Sequence, residues 1–275
     1  MSKQIEDVFP DFSGLFDSHA HYFDSRFDGQ AEELLENGIF GKGVAGIVNV
    51  ATNPENSLRC IEQAKTYSKM YAAVGIHPED CKALTGTVEE EVEKIRVLME
   101  TAEKRKEHKI VALGEIGLDY YWEPYEKEKQ MLYFEKQLSL AEELHVPVLI
   151  HDREAHGDCF EMVLRYPNVR GVFHSFSGSS EMAKELTKRG WYISFSGVLT
   201  FKNARKVREV AAIVPEDRML IETDAPYLAP EPFRGRLNHS LLMAHTAKAL
   251  AEIRGVSYEQ IVQKTAENAK RLFSI

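Results

Sequence analysis

The chain has 275 residues, 44% hydrophobic and 28% charged, with a formal net charge of −9. That length and balance fit one large α/β barrel or two ordinary domains around a sizeable core. The acidic excess argues against a broad, sequence-independent grip on duplex DNA, which rests on many Lys and Arg contacts.

Met1 to Gly14 reads as a short lead-in. Eight apolar runs then follow in order: "GLFDSHAH", "AGIVNVAT", "MYAAVGIHP", "KIVALGEIGLD", "VPVLIHD", "VRGVFHSFSG", "GWYISFSG" and "MLIETDAPYL". Most are too short and too rich in Val, Ile and aromatics for helices, and they do not simply alternate, as expected of strands buried on both faces. Between them lie amphipathic stretches. Thr87 with Glu90 forms a capping box before Val88, Val92, Ile95 and Met99. After "GLDYYWEP", Met131, Phe134, Leu138, Ala141 and Leu144 make one apolar stripe, and Ser257 with Gln260 repeats the capping device in a helical tail that follows Leu237.

Strand then helix, eight times without a linker or composition break, predicts a single (β/α)8 barrel with its core over about residues 15–273. An open doubly wound sheet is the alternative, disfavoured by the count of eight and the lack of G-x-G-x-x-G. No apolar run is long enough to span a membrane, and no basic-then-apolar signal opens the chain. Cys60, Cys81 and Cys159 are scattered and form no C-x-x-C, so a reducing cytoplasm is the expected setting.

Barrel chemistry sits at the C-terminal ends of the strands. His19 and His21 end the first run, and strand alternation puts them on one face. Glu115 follows "VALG" in the fourth run, His151 follows "PVLI" in the fifth, His174 follows "GVF" in the sixth, and Asp224 follows "LIET" in the eighth. Barrel closure brings these six to one rim. Four imidazoles and two carboxylates suffice for two divalent ions if one carboxylate bridges them. Nitrogen and oxygen ligands without thiolate suit Zn, Mn, Ni or Mg.

His77 in "GIHP" ends the third run on the same rim and is a candidate for substrate contact or proton transfer. His108 and His145 fall at helix ends on the opposite face, where a cation near a helix C-terminus is mildly favourable. His245 belongs to the helical tail. His156 and His239 lie near functional-looking segments without an assigned role.

The ordered set "DSHAH", "GIHP", "GEIGLDY", "PVLIHDREA", "FHSFSG", "ETDAPYLAP", "FRG" and "TAENAKRLF" resembles the TatD-type metal-dependent deoxyribonucleases, from about Phe16 to Phe273. The resemblance implies a barrel of the metallo-dependent hydrolase superfamily with a two-metal site. By similarity, His19 and His21 hold one ion with Asp224, His151 and His174 hold the other, and Glu115 bridges. Arg153, in the family's I-H-x-R motif, is implied as a phosphate clamp, and Asp158 as a partner behind the ligands. Tyr227 and Arg234 fall where the family approaches its substrate. The chain departs from the family pattern at Ala20 and Ser175, which remove no ligand. In "RGRLNHS", Leu237 stands in place of an arginine and Ser240 in place of a proline, with Arg236 a possible substitute.

With the resemblance, these residues are read as a metal-dependent nuclease, the resemblance implying DNA as substrate, at single-stranded or frayed ends. In that reading Asp224 deprotonates and orients the attacking water, the metals and Arg153 neutralise developing charge, and a second metal or His77 assists the leaving oxygen. Tyr120, Tyr121, Trp122 or Tyr227 offer stacking faces for flanking bases. The rivals are an amidohydrolase or lactonase on the same barrel and a non-catalytic nucleic-acid or protein-binding relic. Arg153 and Glu115 tilt the choice toward phosphate, and the intact ligand set speaks against a relic.

Overall fold

The computed structural model describes residues 12–275, so most of the expected lead-in lies outside the described residues. Eight strands pair in chain order, all in parallel: β1 (Phe16–Ala20), β2 (Gly46–Val50), β3 (Met70–Val74), β4 (Ile110–Asp119), β5 (Val148–Arg153), β6 (Gly171–Phe173), β7 (Tyr192–Phe195) and β8 (Met219–Ile221). The last strand meets the first just beyond β8. There His21 N donates to Ala225 O at 2.7 Å and Asp224 N to His19 O at 2.9 Å. The sheet is a closed (β/α)8 barrel, and the doubly wound alternative is excluded.

Helices Pro54–Thr66, Val88–Met99, Lys127–Leu144, His156–Leu164, Ser180–Lys188 and Arg205–Ile213 cross between strands, and Met243–Arg254 and Tyr258–Phe273 form the helical tail. Both expected capping boxes are present, at Thr87 and Ser257. No helix among the described residues is long and apolar enough to cross a membrane.

The lumen below the site takes side chains from every strand, among them Phe16, Val48, Ala73, Ala112, Leu149, Val172, Tyr192 and Leu220. Ala269, Leu272 and Phe273 of the last helix pack against these side chains and close the end opposite the site. Above them the polar residues begin. On β5 and β6 they follow the strand period of two, so Leu149 leads to His151 and Arg153, and Val172 to His174. On β1 and β4 the step from lumen residue to site residue is three, from Phe16 to His19 and from Ala112 to Glu115. An extra residue in each strand makes this possible: the register slips between Asp17 and Ala20 on β1, and between Leu113 and Ile116 on β4.

Gly117 is a requirement of this packing. Its φ is +140°, and a Cβ there would lie 2.0 Å from the His151 carbonyl oxygen. Any side chain would push β4 away from β5, and with it Glu115 and Asp119 from His151.

Under the β1–β8 seam lies Asp17, fully buried. Its Oδ2 accepts the hydroxyls of Thr223 at 2.6 Å and Ser240 at 2.7 Å, and its Oδ1 accepts Thr223 N at 3.0 Å. Ser240 N also donates to Tyr22 Oη at 2.9 Å, a bond the proline of the family pattern lacks. Burial raises the Asp17 carboxyl from 3.8 to about 7, against the lowering effect of these donors. The folded protein then keeps a proton that the unfolded chain releases above pH 3.8. This group therefore stabilises most at low pH, and its contribution is lost as pH rises through about 7. Asp17→Asn keeps the hydrogen-bonding shape without the titration. Urea denaturation at pH 5 and pH 8 is expected to show the variant gaining about 2–3 kcal/mol relative to wild type across that interval; equal differences at both pH values would refute the assignment.

Candidate metal centre

The six residues expected to hold metal converge. His19 Nε2 and His21 Nε2 are 3.1 Å apart, and Asp224 Oδ1 lies 3.8 Å from the first and 3.2 Å from the second. Glu115 Oε2 sits 3.3 Å from His19 Nε2 and 3.6 Å from His21 Nε2. Metal–nitrogen bonds of ~2.0–2.1 Å in a tetrahedral site give ligand–ligand edges of about 3.3 Å, close to these. On the other side of the same carboxylate, Glu115 Oε1 lies 2.7 Å from both His151 Nδ1 and His174 Nε2, which are 3.2 Å apart.

The outward partners of the imidazoles decide which nitrogens face inward without a proton. His21 Nδ1 meets the Val50 carbonyl at 2.7 Å, and a carbonyl only accepts, so Nδ1 carries hydrogen. His151 Nε2 donates to Asp119 Oδ2 at 2.8 Å, and His174 Nδ1 to Glu222 Oε1 at 3.2 Å. Each of these rings therefore turns a lone pair toward the carboxylates of Glu115 or Asp224. Acceptors facing acceptors repel unless protons or a cation lie between them. This donor set fits divalent ions, with Asp119 and Glu222 behind the ligands in the carboxylate–histidine arrangement that fixes tautomer and orientation.

Without an ion, protons do the work. Burial disfavours a charged imidazole, yet Asp119 and Glu115 more than reverse it and raise His151 to about 9. His174 is raised well above its ordinary value in the same way, by Glu115 and Glu222 against burial. Burial pushes the Glu115 carboxyl up, and the surrounding imidazoles, His174 foremost, outweigh it and hold it well below the usual range. Asp224, also buried, is lowered by the bond from His21 and the charges around it.

His77 joins this group, with Nε2 3.6 Å from Glu115 Oε1. Its Nδ1 accepts the Glu79 N–H at 3.1 Å, so Nε2 holds the proton and points toward the cavity. Burial and the neighbouring His151 lower its pKa to about 3, which keeps the ring neutral.

The centre opens into a cavity of about 640 Å³ lined by His77, Trp122, Arg153, Ser175 and Tyr227 among others. Arg153 reaches it from the end of β5, over the Tyr121 ring at 4.0 Å. Tyr227 carries the Arg26 guanidinium at 4.2 Å. Three expectations are corrected. Arg234 lies over Phe201 at 4.4 Å and does not line the cavity. Arg236 stacks near Phe233 at 5.8 Å, and neither it nor Leu237 lines the cavity. Asp158 bonds Tyr120 Oη at 2.8 Å and Lys127 Nζ at 2.6 Å, anchoring a loop and leaving the support of the ligands to Asp119. Among the remaining histidines, His156 Nδ1 pairs with Asp152 Oδ2 at 2.8 Å, and His108 Nδ1 meets the Leu98 carbonyl at 3.0 Å.

The sequence reading also missed two buried glutamines on the helix Lys127–Leu144. Gln130 Oε1 accepts Asp119 N at 2.9 Å while its Nε2 donates to Asp119 O at 2.8 Å. Gln137 makes the same double bond to Ile76, at 2.8 and 3.0 Å. Being seven residues apart, they share a helix face. Each holds main chain next to a site residue, Asp119 itself and the neighbour of His77.

A (β/α)8 barrel with four imidazoles and two carboxylates gathered at its C-terminal rim defines a metal-dependent hydrolase. Residues 16–274 match the family described as "TatD related DNase". The chain is 40% identical over 263 residues to the uncharacterized metal-dependent hydrolase YabD of Bacillus subtilis, covering 95% of this chain and 99% of YabD. It is 36% identical over 271 residues to the uncharacterized metal-dependent hydrolase YcfH of Escherichia coli K12, covering 95% and 96%. The crystal structure of YjjV, a TatD homolog from Escherichia coli K12, matches with a TM-score of 0.87 at 31% identity, covering 95% and 98%. The chain belongs to the TatD family of metal-dependent hydrolases.

Two outcomes follow from this geometry. Metal added to stripped protein at pH 7 is expected to displace protons from His151 and His174, with affinity falling as pH drops. Calorimetry in two buffers of different ionisation enthalpy reads this, and equal apparent enthalpies would contradict it. Asp119→Ala is expected to weaken metal binding about 10–100-fold by freeing His151 to rotate; unchanged affinity in a chelator competition would remove Asp119 from that role.

Proposed function

We propose that this hydrolase cleaves phosphodiester bonds of DNA, working from single-stranded or frayed ends with two divalent ions at the rim. Arg153 is the observation that carries the reading. Its guanidinium lines the cavity, and among the described residues no carboxylate lies within ion-pair distance of it. It rests instead on the faces of Tyr121 and Trp122, at 4.0 and 5.2 Å from the ring centroids. A cation kept free among carboxylates is available to an anionic substrate. A carbonyl substrate has no use for it.

In this reading His19, His21 and Asp224 would hold one ion, and His151 and His174 would hold the other. Glu115 would serve both sets, since its Oε2 faces His19 and His21 and its Oε1 faces His151 and His174. When bound, the ions supply Lewis acidity toward water and toward the phosphoryl oxygens. Zn, Mn, Ni and Mg all remain compatible with nitrogen and oxygen ligands.

The protein's own groups divide the remaining work. Asp224 is ionised and takes the proton of the attacking water. Arg153 offers two N–H donors to a non-bridging oxygen, a charge-assisted and directional contact. His77 is neutral with hydrogen on Nε2, so it donates toward the leaving oxygen and does not act as a base.

Assays on end-labelled single-stranded DNA and on a neutral ester test the reading. Arg153→Ala is expected to slow phosphodiester turnover about 10–100-fold, the loss of a charged hydrogen bond, and to affect the neutral ester far less. Equal damage to both substrates would favour a carbonyl hydrolase. Asp224→Asn is expected to slow turnover by about two orders of magnitude or more, and Glu115→Ala to abolish it with loss of bound metal. Wild-type rates in either would contradict the assigned roles.

A further inference from the structure

We propose that Trp122 is a stacking face for an unpaired nucleobase, placed beside the phosphate position marked by Arg153. The proposal rests on the phosphodiesterase reading and names what lies next to the scissile bond. Among the aromatic rings that line the cavity, Phe23 and Phe176 are buried, whereas Trp122 is 49% exposed and Tyr227 47%. Tyr227 is already engaged. The Arg26 guanidinium lies over its ring at 4.2 Å, and its hydroxyl donates to Asp24 Oδ2 at 3.4 Å. Trp122 carries the Arg153 guanidinium on one face, farther off at 5.2 Å, and Tyr121 meets it edge-on at 4.9 Å and 88°, while about half of the side chain stays exposed.

Trp122 also sits on a loop that is fixed in place. Asp119 Oδ1 accepts Tyr121 N at 2.9 Å and Trp122 N at 3.3 Å, and Tyr120 N donates to the Arg153 carbonyl at 2.9 Å. Tyr120 Oη is tied to Asp158, and its ring stacks on Tyr125 at 5.0 Å. The carboxylate that orients His151 thus also sets the entrance to the aromatic loop. A ring held this way has little freedom left to lose when a ligand covers it.

The Arg153 guanidinium is 5.2 Å from the indole centroid. A phosphate on its free N–H groups is therefore within one sugar of the indole face, and the base on that sugar can cover the ring. A base inside a duplex is stacked on both sides and cannot do so. Every base has a π-face, so the site selects unpaired nucleotides and tolerates sequence. The cavity, at about 640 Å³, has room for a nucleotide-sized group.

The test compares two substrates with one phosphodiester each: dithymidine monophosphate, and the same molecule with tetrahydrofuran in place of both bases. Metal-loaded wild-type protein is expected to prefer the base-bearing substrate by about tenfold in kcat/KM, mainly through KM. Trp122→Ala should bring that ratio close to one, and Trp122→Phe should restore most of it. Tryptophan fluorescence gives an independent reading, because Trp191 is buried and Trp122 is the exposed one. The base-bearing substrate should quench it and the abasic one should not. A ratio unchanged in Trp122→Ala overturns the proposal and leaves the indole as backing for Arg153. Failure of wild type to hydrolyse either compound overturns the phosphodiesterase reading itself.

Discussion

A single buried carboxylate, Glu115, organises the upper half of the barrel. Five imidazoles, those of His19, His21, His77, His151 and His174, approach its oxygens within 3.6 Å. A carboxylate taken out of water is costly unless positive charge or donors surround it. Here the surrounding groups are themselves held with lone pairs inward by acceptors behind them: the Val50 carbonyl, Asp119 and Glu222. The arrangement is consistent only when cations fill it, either protons or metal. That requirement links the fold to its class of chemistry more closely than the barrel architecture does, since the same barrel carries many reactions.

The lower half of the barrel supplies the rigidity this needs. Lumen side chains drawn from all eight strands are closed beneath by the last helix, so the strands cannot shift independently. The upper ends are then trimmed by local devices. Extra residues in β1 and β4 turn His19 and Glu115 inward, Gly117 lets β4 and β5 approach, and Gln130 and Gln137 bond backbone groups that the strand ladder leaves free. An unpaired buried amide costs about 1–3 kcal/mol, so these glutamines matter to stability as well as to aim.

The barrel was legible because hydrophobic runs and helix caps repeat with a period that residue identity displays directly. The ligands were legible because each is a polar residue ending an apolar run. The parity of two of them was hidden. By a strict period of two, His19 and Glu115 would face away from the lumen residues Phe16 and Ala112 by half a turn, and nothing in the letters marks the extra residue that corrects this. Asp119 and Glu222 were missed for a different reason, since a carboxylate that supports a histidine looks like any strand-end acid. Asp119 did leave a signal, four residues past Glu115 in a strand. Gln130 and Gln137 left one too, a heptad spacing of polar groups beside an apolar stripe. Arg234 was misplaced because a motif fixes chain position, while the direction of a long side chain depends on whichever ring, here Phe201, lies in reach.

Charge at the cavity bears on the proposal that an acidic chain serves an anionic substrate. Asp24, Glu79, Asp80, Glu115, Asp119, Asp152 and Asp224 line it, against Arg153 as the one Lys or Arg side chain among the described lining residues. Several of these acids are already answered: Asp24 by Arg26, Asp119 by His151, Asp152 by His156, and Asp80 by hydrogen bonds from Thr52 and Asn53. Under the proposed reading, attraction for an anion comes from any bound metal and from Arg153. Under the proposed nuclease reading, a chain end, with neighbouring charge on one side only, enters such a cavity at the lowest electrostatic cost.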